Sequence, residues 1–376
     1  MTDHVLVCRP RLPDADRLLP YLRLIDGTRW YTNFGPLARR FETRLAALIG
    51  TPAHAVRSAS SGTAALELAI MATAGPAREA RPYALVPSLT FAATALAAER
   101  MGYRPWIVDV DPESWALDPN ALADHPALDR TGVIVPVAAC GRAPDMAALE
   151  RLARATGVPV VLDAAAAAEA FLSGDAHVSA TVPAVLSLHA TKAFSTGEGG
   201  AVLWDDPDGQ ERVTRAANFG FDGGREATAP GTNAKLSEYH AAVGLAMLDG
   251  LEARQSEIAA VVRAYERAAR DLPQAWRLHL PPDVGSAYVI CETDGPEASQ
   301  ALEGALRAGR IETRRWYEAG LGAQPHFARC PRDPLPASED IAARLIGLPM
   351  APDLDSGAIA RIGRVAGAAM AGSSAR

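Results

Sequence analysis

The chain lacks most features that would place it in a special class. Its four cysteines, Cys8, Cys140, Cys291 and Cys330, lie far apart and form no Cys-x-x-Cys pair. That excludes a disulfide framework and a cysteine-ligated zinc site, and it suits a reducing cytoplasm. No uninterrupted apolar run approaches the ~20 residues of a membrane-spanning helix. The opening MTDHVLVCRPRLPDADR has no apolar stretch long enough for a secretory signal. A basic stripe is missing, and the formal net charge is -7. Nucleic acid is therefore not an expected partner, although a local positive site for a small anion is compatible with an acidic protein. No internal repeat and no helix-turn-helix appendage is visible. The expectation is a soluble cytoplasmic protein with neither nucleic acid nor membrane as partner.

What is present is 376 residues of ordinary apolar content, too many for one compact core and suited to a large domain plus a smaller one. Between residues 56 and 205 short apolar runs alternate with alanine- and leucine-rich segments. YALVP (83–87), PWIVDV (105–110), GVIVPV (132–137), VPVVLD (158–163), AVLSLH (184–189) and GAVLW (200–204) read as strands. Helices are predicted over 63–74, 90–102 and 145–157. This alternation implies right-handed crossovers and a largely parallel sheet covered on both faces, an α/β fold. A long helical stretch runs over 237–271 with a break near Gly250. A strand (286–292), a helix (297–309) and a last helix (355–370) then form a smaller α/β unit. We divide the chain into a large domain, 1–250, and a small domain, 251–376, with a frayed tail, AGSSAR.

One lysine, Lys192, follows the apolar run AVLSLH and precedes a glycine-rich turn. Desolvation at a strand end lowers a lysine's pKa and frees its amine to attack a carbonyl, unless the head reaches solvent. Asp163 ends VPVVLD, where parallel sheets place their ligands. It is a helix N-cap or the partner of a buried cation such as a pyridinium nitrogen. Ser60-Ser61-Gly62-Thr63 opens a helix, a turn that caps the helix or cradles a phosphate. Ser187 stands close enough to Lys192 to add a hydroxyl. Phe91 is a core residue or a flat cover for a heterocycle. Together these pieces describe a site for pyridoxal 5'-phosphate.

With those residues in view, the chain resembles the sugar-nucleotide aminotransferases of the DegT/StrS group, which are fold-type-I pyridoxal phosphate enzymes. The matching stretches include NFGPLARRFETRLAALIG (33–50), SSGTAALELA (60–69), VPSLTFAATA (86–95), SLHATKAFSTGEGGAV (187–202) and GTNAKLSEYHAAVGLAMLD (231–249), collinear over about residues 30–350. The resemblance implies that Lys192 is the catalytic residue, bonding the cofactor and shuttling a proton. It implies that Asp163 pairs with the ring nitrogen, that Gly62, Thr63 and Ser187 bind the phosphate, and that Phe91 stacks on the ring. Asn233 is expected to reach the phosphate of the neighbouring subunit's cofactor, which makes the enzyme a homodimer with shared sites. The implied reaction is ping-pong, with L-glutamate as amino donor and a nucleotide-linked keto-deoxy sugar, aminated at C4, as acceptor.

Tyr31, Asn33, His189, Lys235, Trp316, Tyr317 and His326 lie in segments that border the acceptor in that family. Two positions depart from its pattern. Ala166 stands where glutamine or histidine is usual near the cofactor's phenolic oxygen, and Gly322 stands where histidine is common. These departures keep amination of a cyclitol or other carbocyclic ketone open. A related sugar dehydratase usually carries histidine in place of Lys192. A cofactor-binding regulator or silent partner subunit remains the non-catalytic alternative.

Overall fold

The computed structural model describes residues 4–272 and 276–371; the expected frayed tail, apart from its first residue, lies outside them. Two helices that the periodic runs above do not predict open the order. α1 (Ala15–Thr28) starts where Asp14 accepts the Arg17 N–H, and α2 (Pro36–Ile49) begins on proline and ends at Gly50 with φ 79°. Strands and helices then alternate: β1 (Val56–Ala59), α3 (Gly62–Thr73), β2 (Tyr83–Pro87), α4 (Ala92–Arg100), β3 (Arg104–Val108), α5 (Pro119–Ala123), β4 (Thr131–Ile134), α6 (Met146–Thr156), β5 (Leu162–Asp163), α7 (Ala168–Ser173), β6 (Ala184–Ser187), β7 (Gly200–Leu203), α8 (Pro207–Ala217) and α9 (Glu238–Asp249).

The sheet order is β3-β2-β4 in one ladder and β5-β6-β7-β1 in another. Parallel bridges Ile134↔Val160 and Val137↔Asp163 join the two. β7 alone runs antiparallel to its neighbours, β6 and β1. Successive residues of the strands point into opposite cores. Leu85, Ile134, Leu162, Leu186 and Leu203 pack with α1, α2 and α6; Val86, Val133, Val161, Val185 and Val202 pack with α3, α4 and α8. Burial on both faces explains the continuous apolar runs. β1 is the exception. Its Arg57 and Ser58 are polar, and buried Glu42 accepts from the Arg57 guanidinium, the Ser58 N–H and the Ser58 hydroxyl.

Beyond residue 250 the elements are α10 (Leu251–Ala268), β8 (Arg277–His279), β9 (Val289–Glu292), α11 (Pro296–Ala308), α12 (Pro336–Arg344), β10 (Leu345–Leu348) and α13 (Ser356–Ala371). The three strands form an antiparallel sheet in the order β10-β9-β8, with a core that includes Tyr265, Leu302, Leu306, Ile346 and Ile362. A separate cluster joins Leu89, Trp115 and Cys140 to Tyr288 and Tyr317, so residues before and after 250 share this core. No helix among the described residues is long and apolar enough to cross a membrane.

Glu238, fully buried at the start of α9, crosses to α2. Its carboxylate accepts the Leu37 N–H at 2.8 Å and the Ala38 N–H at 2.9 Å. These are first-turn donors that α2 cannot satisfy itself. Gly35 leaves room for it, since a Cβ there would lie 2.5 Å from Glu238 Cδ. Glu238→Ala strands both donors, so urea unfolding should show stability lowered by about 2–4 kcal/mol, read as a lower midpoint with little change in slope.

Candidate active site

Asp163 closes β5 and is 7% exposed. The Thr94 hydroxyl on α4 donates to Oδ2 at 2.7 Å, and the Ala165 N–H donates to Oδ1 at 3.0 Å. Burial pushes this carboxyl above the usual range, against the pull of those bonds and of Lys192. Such a carboxylate keeps its charge only beside a cation.

Lys192 lies on the loop after β6. Its N–H donates to the His189 carbonyl at 2.9 Å. The loop is pinned next door by Phe194, buried and stacked on Phe41 at 6.2 Å. Arg254 on α10 pins it from behind. Its Nε donates to the Ala193 carbonyl at 3.0 Å and its Nη1 to the Arg11 carbonyl at 3.1 Å. Burial holds the Lys192 pKa below the ordinary lysine value; the charge of Asp163 and the Cys140 thiol oppose that shift.

The expected phosphate turn lies beside β6. A Cβ on Gly62 would stand 2.8 Å from Ser187 Cβ, so only glycine permits this approach. Ser61, not Gly62 or Thr63, caps α3, accepting the Ala64 N–H at 3.0 Å. The N–H groups of Gly62 and Thr63 precede the helix's own ladder and, among the described residues, meet no acceptor, as an anion site requires. Gly200 packs equally closely, its would-be Cβ 2.4 Å from the Ser61 carbonyl oxygen. This cradle, a buried carboxylate in want of a cation and a lysine with a depressed pKa fit pyridoxal phosphate.

Residues from beyond 250 form the other wall. The Trp316 ring lies 5.4 Å from Lys192 Nζ, near enough for a cation–π contact. Tyr317 is buried at φ 46°, and its oxygen accepts the Cys140 N–H at 3.2 Å. Cys140, itself at φ 53°, has its thiol pKa pushed up to about 12 by burial.

The remaining predicted residues lie further out. Phe91 precedes α4 and is 67% exposed, three residues before Thr94. His189 is exposed, with Nδ1 2.8 Å from the Thr191 hydroxyl and Nε2 3.6 Å from Glu198. Asn233 is exposed and accepts from Lys235 Nζ at 2.7 Å; that ammonium also sits 4.5 Å from the Phe219 ring centre. Their segment adjoins the cradle of its own chain, where the Ser60 N–H donates to the Ala234 carbonyl. Tyr31 stacks on Tyr239 at 6.3 Å, and Asn33 takes a left-handed turn at φ 63°. His326 is not brought to Lys192. It pairs with Glu99 at 2.9 Å, toward the other end of α4 from Phe91. At Gly322 a Cβ would meet Leu335 Cδ1 at 2.9 Å and Arg332 Nη1 at 3.2 Å, so a larger residue there requires those two side-chain ends to move.

Sequence reasoning missed Thr94, Cys140 and Arg254, whose roles arise only from packing. It also passed over a plain signal: Lys192 and Lys235 are the only lysines in the chain, the other cationic side chains being arginine. Both fall on the segments just described.

Comparison with known proteins gives the family. The model of the DegT/DnrJ/EryC1/StrS aminotransferase family matches residues 14–365. Protein Rv3402c of Mycobacterium tuberculosis (strain ATCC 25618 / H37Rv) is 33% identical over 362 residues, spanning 92% of this chain and 86% of its own. The structure of DesI, solved in the presence of its TDP-sugar product, is similar with a TM-score of 0.86 and 33% identity, covering 100% of this chain and 95% of DesI. A Bacillus cereus ATCC 10987 structure described as a PLP-dependent aminotransferase gives a TM-score of 0.87 at 28% identity, covering 97% of this chain and 100% of that one.

Because only two lysines exist, amine acylation of the cofactor-free protein can be mapped without ambiguity. The rate at Lys192 should reach its half-maximum at lower pH than a lysine in a model peptide. Asp163→Asn removes a charge that favours the ammonium, so it should shift that half-point lower still. A half-point at the model-peptide value would contradict the burial of Lys192.

Proposed function

The chain belongs to the DegT/DnrJ/EryC1/StrS aminotransferase family and is a PLP-dependent aminotransferase of fold type I; we propose that it moves an amino group from L-glutamate to C4 of a nucleotide-linked keto-deoxy sugar. The observation that carries this reading is the convergence of Lys192, Asp163 and the Gly62–Ser187 cradle at the carboxyl edge of one sheet. The acceptor class draws support from DesI, whose structure holds a TDP-sugar product at 33% identity.

Pyridoxal phosphate, when bound, supplies an aldehyde that exchanges amines and a ring that takes up the electrons of the bond broken at the substrate carbon. The chain's own residues do the rest. Lys192 is the catalytic residue; its depressed pKa keeps a fraction of the amine neutral, able to take a proton at the substrate carbon and return it. Asp163 holds the ring nitrogen, and Thr94 and Ala165 fix the carboxylate's orientation. Gly62, Thr63 and Ser187 hold the phosphate. Phe91, exposed at the entrance of α4, covers the ring, and the Trp316 side chain keeps water from the Lys192 amine.

We assign the acceptor to the space bordered by Tyr31, Asn33, His189, Lys235 and Trp316. His326, paired with Glu99, carries less support. Asn233 completes the site of a second copy in a homodimer. Its own chain leaves it exposed, beside a patch with exposed Tyr31, Phe219 and Tyr239. Four free thiols suit a cytoplasmic setting.

Two experiments test this. Holoenzyme mixed with L-glutamate should change its cofactor absorbance, and a nucleotide-linked 4-keto-6-deoxy sugar should restore the starting spectrum with a product of matching mass. A carbocyclic ketone that restores it in place of every keto sugar would overturn the acceptor assignment, and Lys192→Ala should abolish both steps. Separately, inactive Lys192→Ala and impaired Asn233→Ala chains, mixed and reassembled, should recover about a quarter of wild-type sites, because the hybrid dimer holds one intact site. No recovery would place Asn233 in the site of its own chain.

A further inference from the structure

Tyr317 has an unused proton. It is 8% exposed, and its oxygen accepts from the Cys140 N–H. Among the described residues its own O–H meets no acceptor, a costly state for a buried donor. Its backbone is also strained. Tyr317 and Glu318 are consecutive non-glycine residues at φ 46° and 54°, a pattern that persists where the surroundings enforce it and that clusters at functional sites.

The sheet order tells which flank of the site this phenol serves. Asp163 lies between two neighbours. On one side β6 pairs with it (Asp163↔Val185) and leads to Ser187 and the phosphate cradle. On the other, the chain leaving β4 bridges to it (Val137↔Asp163) and leads to Cys140, and so to Tyr317. The phosphate cradle and the Tyr317 phenol therefore stand on opposite flanks of the line from Asp163 to Lys192. A pyridoxal ring held by its nitrogen at Asp163 and by its aldehyde carbon at Lys192 presents its phosphate arm to one flank and its phenolic oxygen to the other. With the phosphate at Gly62 and Ser187, the oxygen faces Tyr317. Nearby Ala166 has no polar side chain to offer. Its backbone is wedged between Gly141 and Gly285, whose would-be Cβ atoms each lie 2.5 Å from the Ala166 carbonyl oxygen.

We propose that the Tyr317 hydroxyl donates a hydrogen bond to the phenolic oxygen of the bound cofactor, replacing its expected place at the acceptor with a place at the ring. This rests on the functional reading above. The donor matters most when the nitrogen joining Lys192 to the cofactor has lost its proton, because the phenolate then has no neighbour to share its charge. A donor thus lowers the pH at which that nitrogen titrates.

The test is an absorbance–pH titration of the holoenzyme without substrate. Tyr317→Phe should raise the midpoint by about one to two pH units, with cofactor still bound. Fluorinated tyrosines at 317 keep the acceptor to Cys140 and strengthen the donor, so they should lower the midpoint in step with their acidity. A packing role alone would not produce that trend. An unchanged midpoint in Tyr317→Phe, with only KM for the acceptor raised, overturns the proposal. Where the phenylalanine variant fails to fold, a midpoint indifferent to fluorination overturns it. A wild-type protein lacking any titrating band that Lys192→Ala abolishes would instead overturn the functional reading beneath it.

Discussion

Asp163 is buried and Lys192 half-buried beside it, and the charge of each bears on the other. Burial raises the carboxyl and lowers the amine, while their mutual attraction resists both shifts. Everything around them steadies that balance. Thr94 and Ala165 occupy both carboxylate oxygens, and the Trp316 face meets the amine. A cationic heterocycle beside Asp163 would supply the counter-charge that a buried carboxylate lacks.

This arrangement draws on distant parts of the chain, and the sheet is what gathers them. β5 and β6 end side by side, so Asp163 and the hydroxyl of Ser187 face the same edge. The segments beyond residue 250 close the pocket on two sides. Arg254 grips the backbone next to Lys192 from behind, and Trp316 and Tyr317 stand in front. A shift of the C-terminal elements is thus felt directly at Lys192.

Much of this was legible from the residues alone. Strands buried on both faces announce themselves as apolar runs, and β2 was read to its last residue. β5 is shorter than VPVVLD suggests, because Val160 makes only an isolated bridge before it. β1 was missed because Val-Arg-Ser-Ala has no apolar signature; its polar groups are satisfied by Glu42, a partner visible only in three dimensions. α1 and α2 were passed over although their hydrophobic faces bury Ile25 and Phe41. In the site, Lys192, Asp163, Gly62 and Ser187 were named from strand ends and turns. Thr94 and Cys140 were not, because a threonine inside a helix and a cysteine after a strand carry no local mark. Trp316 and Tyr317 were anticipated as neighbours of the acceptor, but their contacts with Lys192 and Cys140 depend on how the two parts of the chain meet.

The scarcity of lysine has a chemical consequence. A guanidinium stays protonated near neutral pH and does not form imines as an amine does. An aldehyde diffusing over this surface therefore meets almost nothing that can capture it, since both side-chain amines are sheltered and one belongs to the pocket itself. Composition alone gives the molecule fidelity toward its reactive carbonyl, by removing the competing nucleophiles instead of discriminating among them.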